Sequence, residues 1–478
     1  MTVPPERSGG DVPAVRKTDS TRDGGQSDRT ARVTAGAPAG FFRNISWQYL
    51  ASGGGTFVSF AYALIVGRLL GVGDFGLMAL GLGFTSVVFQ LAELRLHEGV
   101  IRYVSEFWEQ DDGPRLVATV KLALLLDGIT AVLALLLTWG LAAWGERTLV
   151  RDARGMEVIV LAGAATFFMK VGTATAQGLL RVLRLYQVQA GVTVGGAILK
   201  LVVTVGGLSL LGWGVRGVLL AATVTHLLTN LGLVTVVLRR LHQRVDLWRS
   251  DAGVRLLRPR LREMTGFVSN TYLLSVSMIP TKDLDVNLLG WLVSLEVVGV
   301  YKIAKSFVAA MWTLSDATFV VVYPELARLW AQRRLADIRT FVRRITGVFG
   351  VAGVVVYLGA FLVVPPVIRV IMGADFAAAG VLFRWMAWGI VFWAPLVWVN
   401  PLLMAAGRPD LTLRASVVGS VVTLLLYMVA IAEWGATGAA AVYALASPVV
   451  IGLVAWFAWR SDAFVALRSA AAVPGEIV

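Results

Sequence analysis

Long apolar runs recur along this chain, each about the length needed to cross a lipid hydrocarbon core, and only short polar loops separate most of them. A helix needs roughly 20 mostly apolar residues to span that core. Stretches of this kind lie near 45–68, 75–94, 118–143, 157–180, 187–212, 215–238, 267–291, 296–322, 345–369, 378–405, 413–433 and 436–459. Backbone amides and carbonyls find no water in lipid, so each run must satisfy them internally as a helix. The expectation is an all-α integral membrane protein with about twelve transmembrane helices in two pseudo-symmetric six-helix lobes. The composition agrees: 57% of residues are hydrophobic and 15% charged, against roughly 45–50% and about 25% in soluble domains.

The formal charge of +13 would suit a nucleic-acid binder, but the basic residues sit in loops between apolar runs, so no nucleic-acid partner is expected. The positive-inside rule explains them instead. Arg7, Arg16, Lys17, Arg22, Arg29, Arg32 and Arg43 precede the first span. Arg239, Arg240, Arg244, Arg249, Arg255, Arg258, Arg260 and Arg262 follow the sixth, and Arg328, Arg333, Arg334, Arg339, Arg343 and Arg344 follow the eighth. With twelve spans these all fall on one side, so a multi-pass chain with both termini cytoplasmic is expected. The predicted organisation is a disordered tail over 1–40, an N-terminal lobe over 41–240, a basic linker over 241–266, a C-terminal lobe over 267–460 and a second tail over 461–478.

The two halves repeat. Trp213-Gly214-Val215-Arg216-Gly217 recurs as Trp434-Gly435-Ala436-Thr437-Gly438, 221 residues on, and Gly67 and Gly76 map onto Gly290 and Gly299 at an offset of 223. Six spans per half is an even number, so the halves enter the membrane in the same direction and form a parallel repeat.

Several chemistries drop out. There is no cysteine, hence no disulfide, thiol nucleophile or cysteine-held metal. No GxxxxGK[ST] motif occurs. Gly212 to Gly217 fits G-x-G-x-x-G, but helices flank it where a dinucleotide site needs a strand first, so it reads as a turn. Asp283 and Asp285 are two apart, about 200° around a helix, and could share a metal only if Pro280 unwound it. His97, His226 and His242 read as structural or interfacial.

Charges inside spans are the informative residues, because each costs about 2.5–3.5 kcal/mol at a helix centre on insertion scales. They are Asp127, Lys170, Lys200, Lys282, Asp283, Asp285, Lys302, Lys305 and Arg384. Asp285 and Lys302 sit at equal distance from the turn between spans 7 and 8 and are expected to pair. Helix–helix salt bridges would account for some of the set. Cations nevertheless outnumber carboxylates, which points to a wet internal cavity that receives an anion. Lys170, Lys200, Lys302, Lys305 and Arg384 are the candidate anion-binding residues; Asp127, Lys282 and Asp285 are the candidates for ion coupling or charge pairing.

Asp285-Val286-Asn287-Leu288-Leu289-Gly290, followed by Val298-Gly299-Val300-Tyr301-Lys302-Ile303-Ala304, resembles the polysaccharide-export flippases. These belong to the multidrug/oligosaccharidyl-lipid/polysaccharide (MOP) exporter superfamily. Gly67-Arg68-Leu69-Leu70-Gly71 with Phe75-Gly76, Met372-Gly373-Ala374-Asp375-Phe376 and Ala406-Gly407-Arg408 extend the likeness over nearly the whole chain beyond the tail. The resemblance implies alternating access between two lobes and no enzymatic step. The implied cargo is an undecaprenyl-pyrophosphate-linked oligosaccharide, carried across a bacterial cytoplasmic membrane for cell-surface polysaccharide assembly. It also implies no cofactor, energy from an H+ or Na+ gradient, contact with membrane lipids, and polymerase or glycosyltransferase partners. Two other readings stand beside it: a multidrug or cation antiporter of the same superfamily, and a membrane glycosyltransferase or polymerase.

Overall fold

The computed structural model describes residues 47, 50–247, 253–282 and 284–460. Both predicted tails, Arg249 and Asp283 therefore lie outside the described residues, as does the side chain of Lys282. Among the described residues there is no strand.

Helices run in the order α1 Gly55–Leu70, α2 Val72–Ala92, α3 Leu96–Glu109, α4 Gly113–Gly140, α5 Gly155–Val182, α6 Tyr186–Leu211 and α7 Val215–His242. After the linker come α8 Leu261–Ser277, α9 Leu284–Leu292, α10 Leu295–Ala331, α11 Leu335–Met372, α12 Ala374–Ala405 and α13 Pro409–Arg460. Eight of these are long and apolar enough to cross a membrane. The last of the eight holds two spans, because Gly435 (φ 56°, ψ −133°) breaks the helix within it. Gly438 is then so close to Ala430 that a Cβ on it would lie 1.9 Å from the Ala430 carbonyl oxygen. With α1, the α8–α9 pair and α10, the spans among the described residues number twelve, and the chain is a multi-pass membrane protein.

The repeat is visible as reciprocal contacts. A Cβ on Gly76 would fall 1.9 Å from the Leu295 carbonyl oxygen, and one on Gly299 would fall 2.3 Å from that of Val72. Val72 and Leu295 are themselves related by the 223-residue offset. The second glycine pair behaves likewise: Gly67 faces Ile303 at 3.1 Å and Gly290 faces Leu80 at 2.5 Å. Equivalent residues that touch one another in both directions lie about a two-fold axis. Glycine permits this close approach of α2 and α10, since any side chain would hold the backbones apart. One buried cluster, including Leu77, Leu80, Phe84, Val286, Tyr301 and Ile303, joins the lobes at this end.

The 14-residue helix α3 has no counterpart in the list of spans read from the sequence. Leu96, Gly99, Val100, Tyr103, Val104 and Phe107 are buried, the i, i+3, i+4, i+7 stripe of an amphipathic surface helix. Val100 packs on Gly178 of α5, leaving 2.8 Å for any added Cβ. Arg260, just before α8, grips Glu106 of α3 at 2.5 and 3.2 Å and Glu263 at 3.2 and 3.0 Å. The Arg260 hydrogen bonds hold the Glu106 carboxyl below its ordinary range. This network ties the start of the second half to the first at the arginine-rich end.

A break in α5 positions the site. Its two parts are Gly155–Lys170 and Thr173–Val182, with Gly172 left-handed at φ 73° between them. The break strands backbone groups that lipid cannot satisfy. Asp127 of α4, 2% exposed, accepts the Thr175 N–H at 3.0 Å. Asn230 of α7 donates to the Phe168 and Val171 carbonyls at 2.9 and 2.6 Å. Asp127 thus has a local structural task, capping the second part of α5. Asn230→Ala would leave two carbonyls unmet and is expected to cost about 1–3 kcal/mol. The check is the thermal unfolding midpoint of the purified protein; an unchanged midpoint would refute the clamp.

Candidate functional site

A cavity of 770 Å3 is lined mainly by the first lobe, with Ser275 and Lys302 contributed by the second. Its wall takes Tyr62 from α1, Gln90 from α2, Lys170 and Thr173 from α5, Ser275 from α8 and Lys302 from α10, with Glu93, Arg95 and His97 toward the α3 end. Among the described residues of the wall the charged groups are Arg95, Lys170 and Lys302, with the carboxylate of Glu93. His97 adds no charge, because burial, reinforced by Arg95, Arg181 and Lys170, pushes its imidazole down to about 4. The wall is therefore cationic.

Lys170 ends the first part of α5, so the break aims it inward. Its Nζ lies 2.7 Å from Glu93 Oε2, with 36% of its side chain exposed. Glu93 was not singled out from sequence, since it stands at the end of an apolar run like an ordinary loop residue. Arg95 is held by Glu98 at 2.7 Å. An anion entering here can take over Lys170 from Glu93 by exchanging one charge-assisted hydrogen bond for another.

The remaining candidates fall elsewhere. Lys200 of α6 sits 4.4 Å from the ring centre of Tyr62, one side chain behind the cavity wall. Arg384 of α12 lies over Phe361 at 4.4 Å and hydrogen-bonds its carbonyl at 3.4 Å. Lys305 is not in the wall either. It binds both oxygens of Asp285 at 2.8 Å, while the Tyr301 hydroxyl donates to Oδ2 at 2.7 Å. The Asp285 side chain is 2% exposed and that of Lys305 12%. Asp285 thus pairs with Lys305 and not with Lys302, the partner expected from equal backbone depth. Helix side chains lean toward their own N-terminus, so the lysine one turn deeper in α10 reaches back to the level of Asp285. Among the described residues no group of His, Asp and Glu could hold a metal ion.

Solved structures share this architecture. One is an inward-facing multidrug resistance MATE family transporter of the MOP superfamily, with a TM-score of 0.68 at 16% identity, over 88% of this chain and 96% of that one. A second is the lipid II flippase MurJ in an inward closed conformation, at 0.63 and 10%, over 86% of each chain. A third is a MOP superfamily transporter from Pyrococcus furiosus, described as having a binding pocket of reverse polarity, at 0.62 and 16%, over 89% and 96%. A search of curated proteins finds no match. The fold is that of the MOP superfamily transporters. A family model described as polysaccharide biosynthesis protein matches residues 65–380, and the chain belongs to that family.

Proposed function

We propose that this protein moves a lipid-linked oligosaccharide, carried on undecaprenyl pyrophosphate, from the cytoplasmic to the outer leaflet of a bacterial cytoplasmic membrane. The lobes would open alternately to either face, without catalysis. The observation that carries the reading is the cationic cavity wall of Arg95, Lys170 and Lys302 against Glu93. A pyrophosphate suits that wall, whereas an organic cation, the cargo of an antiporter with the same fold, would meet repulsion. The cavity reaches His97 at the arginine-rich end while Gly76 and Gly299 close the other. By the positive-inside rule this is a cytoplasm-facing state with both termini cytoplasmic. The better match to an inward-facing than to an outward-facing MATE structure, TM-scores 0.68 and 0.59, supports it. An H+ or Na+ gradient would supply the energy, and polysaccharide polymerases or glycosyltransferases would be the working partners.

Of the candidate anion ligands, Lys170 and Lys302, which line the cavity, would touch cargo, and Lys200, Lys305 and Arg384 would act behind the wall. Each charged hydrogen bond is worth about 1.5–3 kcal/mol, roughly ten- to a hundredfold in affinity. Lys170→Ala/Lys302→Ala is expected to reduce translocation of a fluorescent polyprenyl-pyrophosphate sugar in proteoliposomes by about a hundredfold or more. The double variant should insert normally. Full transport by it would sink the anion-site assignment, and uptake of organic cations with no effect on the lipid-linked probe would favour the antiporter.

A further inference from the structure

Glu93 holds a lysine that the transport reading assigns to cargo. Its Oε2 lies 2.7 Å from Lys170 Nζ, and both side chains line the cavity. Among the described residues of the wall Glu93 is the one carboxylate. The neighbouring cation, Arg95, is engaged by Glu98 at 2.7 Å. The Glu93 side chain is 24% exposed and that of Lys170 36%, so each can let go of the other without entering an apolar core.

The two partners stand at the ends of helices in one lobe. Glu93 caps the C-terminus of α2 in an extended conformation (φ −78°, ψ 122°). Lys170 ends the first part of α5. These helices pack directly: the Thr85 and Thr166 hydroxyls are 3.2 Å apart, and a Cβ on Gly81 would lie 2.6 Å from Val158. Lys302, in the same wall, belongs to the second lobe. A movement of the lobes against each other therefore separates Lys170 from Lys302 but need not break its pair with Glu93.

A carrier that works by alternating access must also return with its site empty. A cation left unpaired in a closing cavity loses hydration with nothing in exchange, which is costly. A carboxylate tethered in the same lobe removes that cost. Cargo phosphate and Glu93 offer the lysine the same kind of charge-assisted hydrogen bond, so one can replace the other.

We infer that Glu93 is a tethered substitute for the cargo anion, taking Lys170 whenever cargo has left and so allowing the empty carrier to reorient. This rests on the reading of Lys170 as an anion ligand and adds the step that resets it. Glu93 is a positioning residue, acting on cargo through Lys170.

The test compares net translocation with exchange, using the full chain in proteoliposomes and the fluorescent polyprenyl-pyrophosphate sugar. Exchange, with unlabelled cargo in both leaflets, requires only the loaded carrier to reorient; net translocation requires the empty one as well. Glu93→Gln keeps the side chain's shape and removes its charge. It should cut net translocation about tenfold or more and leave exchange within about twofold of native. Inorganic pyrophosphate should bind this variant about two- to fivefold more tightly by calorimetry, the affinity equivalent of a partly exposed ion pair. That gain should vanish in a Lys170→Ala background. Glu93→Ala replaces the glutamine variant if that one fails to insert. Net translocation and exchange that fall together, net translocation that is unchanged, or a gain in pyrophosphate affinity that is absent or survives Lys170→Ala would overturn the role of Glu93. The cavity reading would still stand on the weaker pyrophosphate binding of Lys170→Ala itself. Pyrophosphate binding that ignores Lys170→Ala would overturn the cavity reading and the inference with it.

Discussion

Lys305→Met is expected to destabilise the protein by about 3–5 kcal/mol, the range for removing one partner of a buried ion pair. Lys305 Nζ donates at 2.8 Å to both oxygens of a carboxylate whose side chain is 2% exposed. Without it, the partners of Asp285 among the described residues are the Tyr301 hydroxyl at 2.7 Å and the Val286 N–H at 2.8 Å. Those bonds cannot neutralise a full negative charge inside a helical lobe. Asp285→Asn should be costly for the mirrored reason, since it removes the carboxylate charge that Lys305 meets with both of its 2.8 Å hydrogen bonds. The double variant Asp285→Asn/Lys305→Met removes both charges and should recover most of the loss, because replacing both members of such a pair is often close to neutral. Thermal unfolding of the purified protein, followed by size-exclusion recovery, measures all three. Single variants as stable as the native protein would show that the pair is not what compensates these charges. If the double variant is stable but does not transport, Asp285 has a role in the cycle beyond packing.

Much of the architecture was legible because lipid imposes so strict a rule on sequence. An apolar run of sufficient length has only the helix open to it, and so the spans, their hairpins and the parallel repeat could be read from residues alone. The glycine pairs were legible for a related reason. A glycine conserved between two copies at one offset marks backbone contact, and Gly76 and Gly299 turned out to touch each other's helices. What stayed hidden is whatever depends on short or broken helices. The residues of α3 form a clear stripe from Leu96 to Phe107, but at 14 residues with a polar far face it is not a span. The break at Gly172 was not legible within an apolar run, and with it went the tasks of Asp127 and Asn230, which are defined by the carbonyls and amides the break exposes. In the site, the surplus of cations was readable, while their grouping was not. Lys302 and Lys305 are one turn apart, yet one lines the cavity and the other is spent on Asp285.

Gly76→Ala/Gly299→Ala should drive the two lobes apart where they now meet. The added methyl groups would sit 1.9 and 2.3 Å from backbone carbonyl oxygens, contacts that no side-chain rotation relieves. Overpacking of this kind costs about 1–3 kcal/mol per site, sometimes more. The cost falls on the state in which α2 and α10 cross closely and spares a state in which they have separated. The expected result is a shift of the lobe equilibrium by about tenfold or more toward separation, since each 1.4 kcal/mol is a factor of ten. The native chain has no cysteine, so spin labels at Gly73→Cys and Glu296→Cys, positions related by the repeat offset and flanking the crossing, report that distance without background. A long-distance population should appear in the glycine variants and be minor in the native background. An unchanged distribution with undiminished stability would mean that the crossing yields locally and is not the seam on which the lobes open. A shifted distribution accompanied by lost transport would mean that the glycines are needed to close this end, which places the small side chains of the repeat in the working cycle and not only in the packing of the resting state.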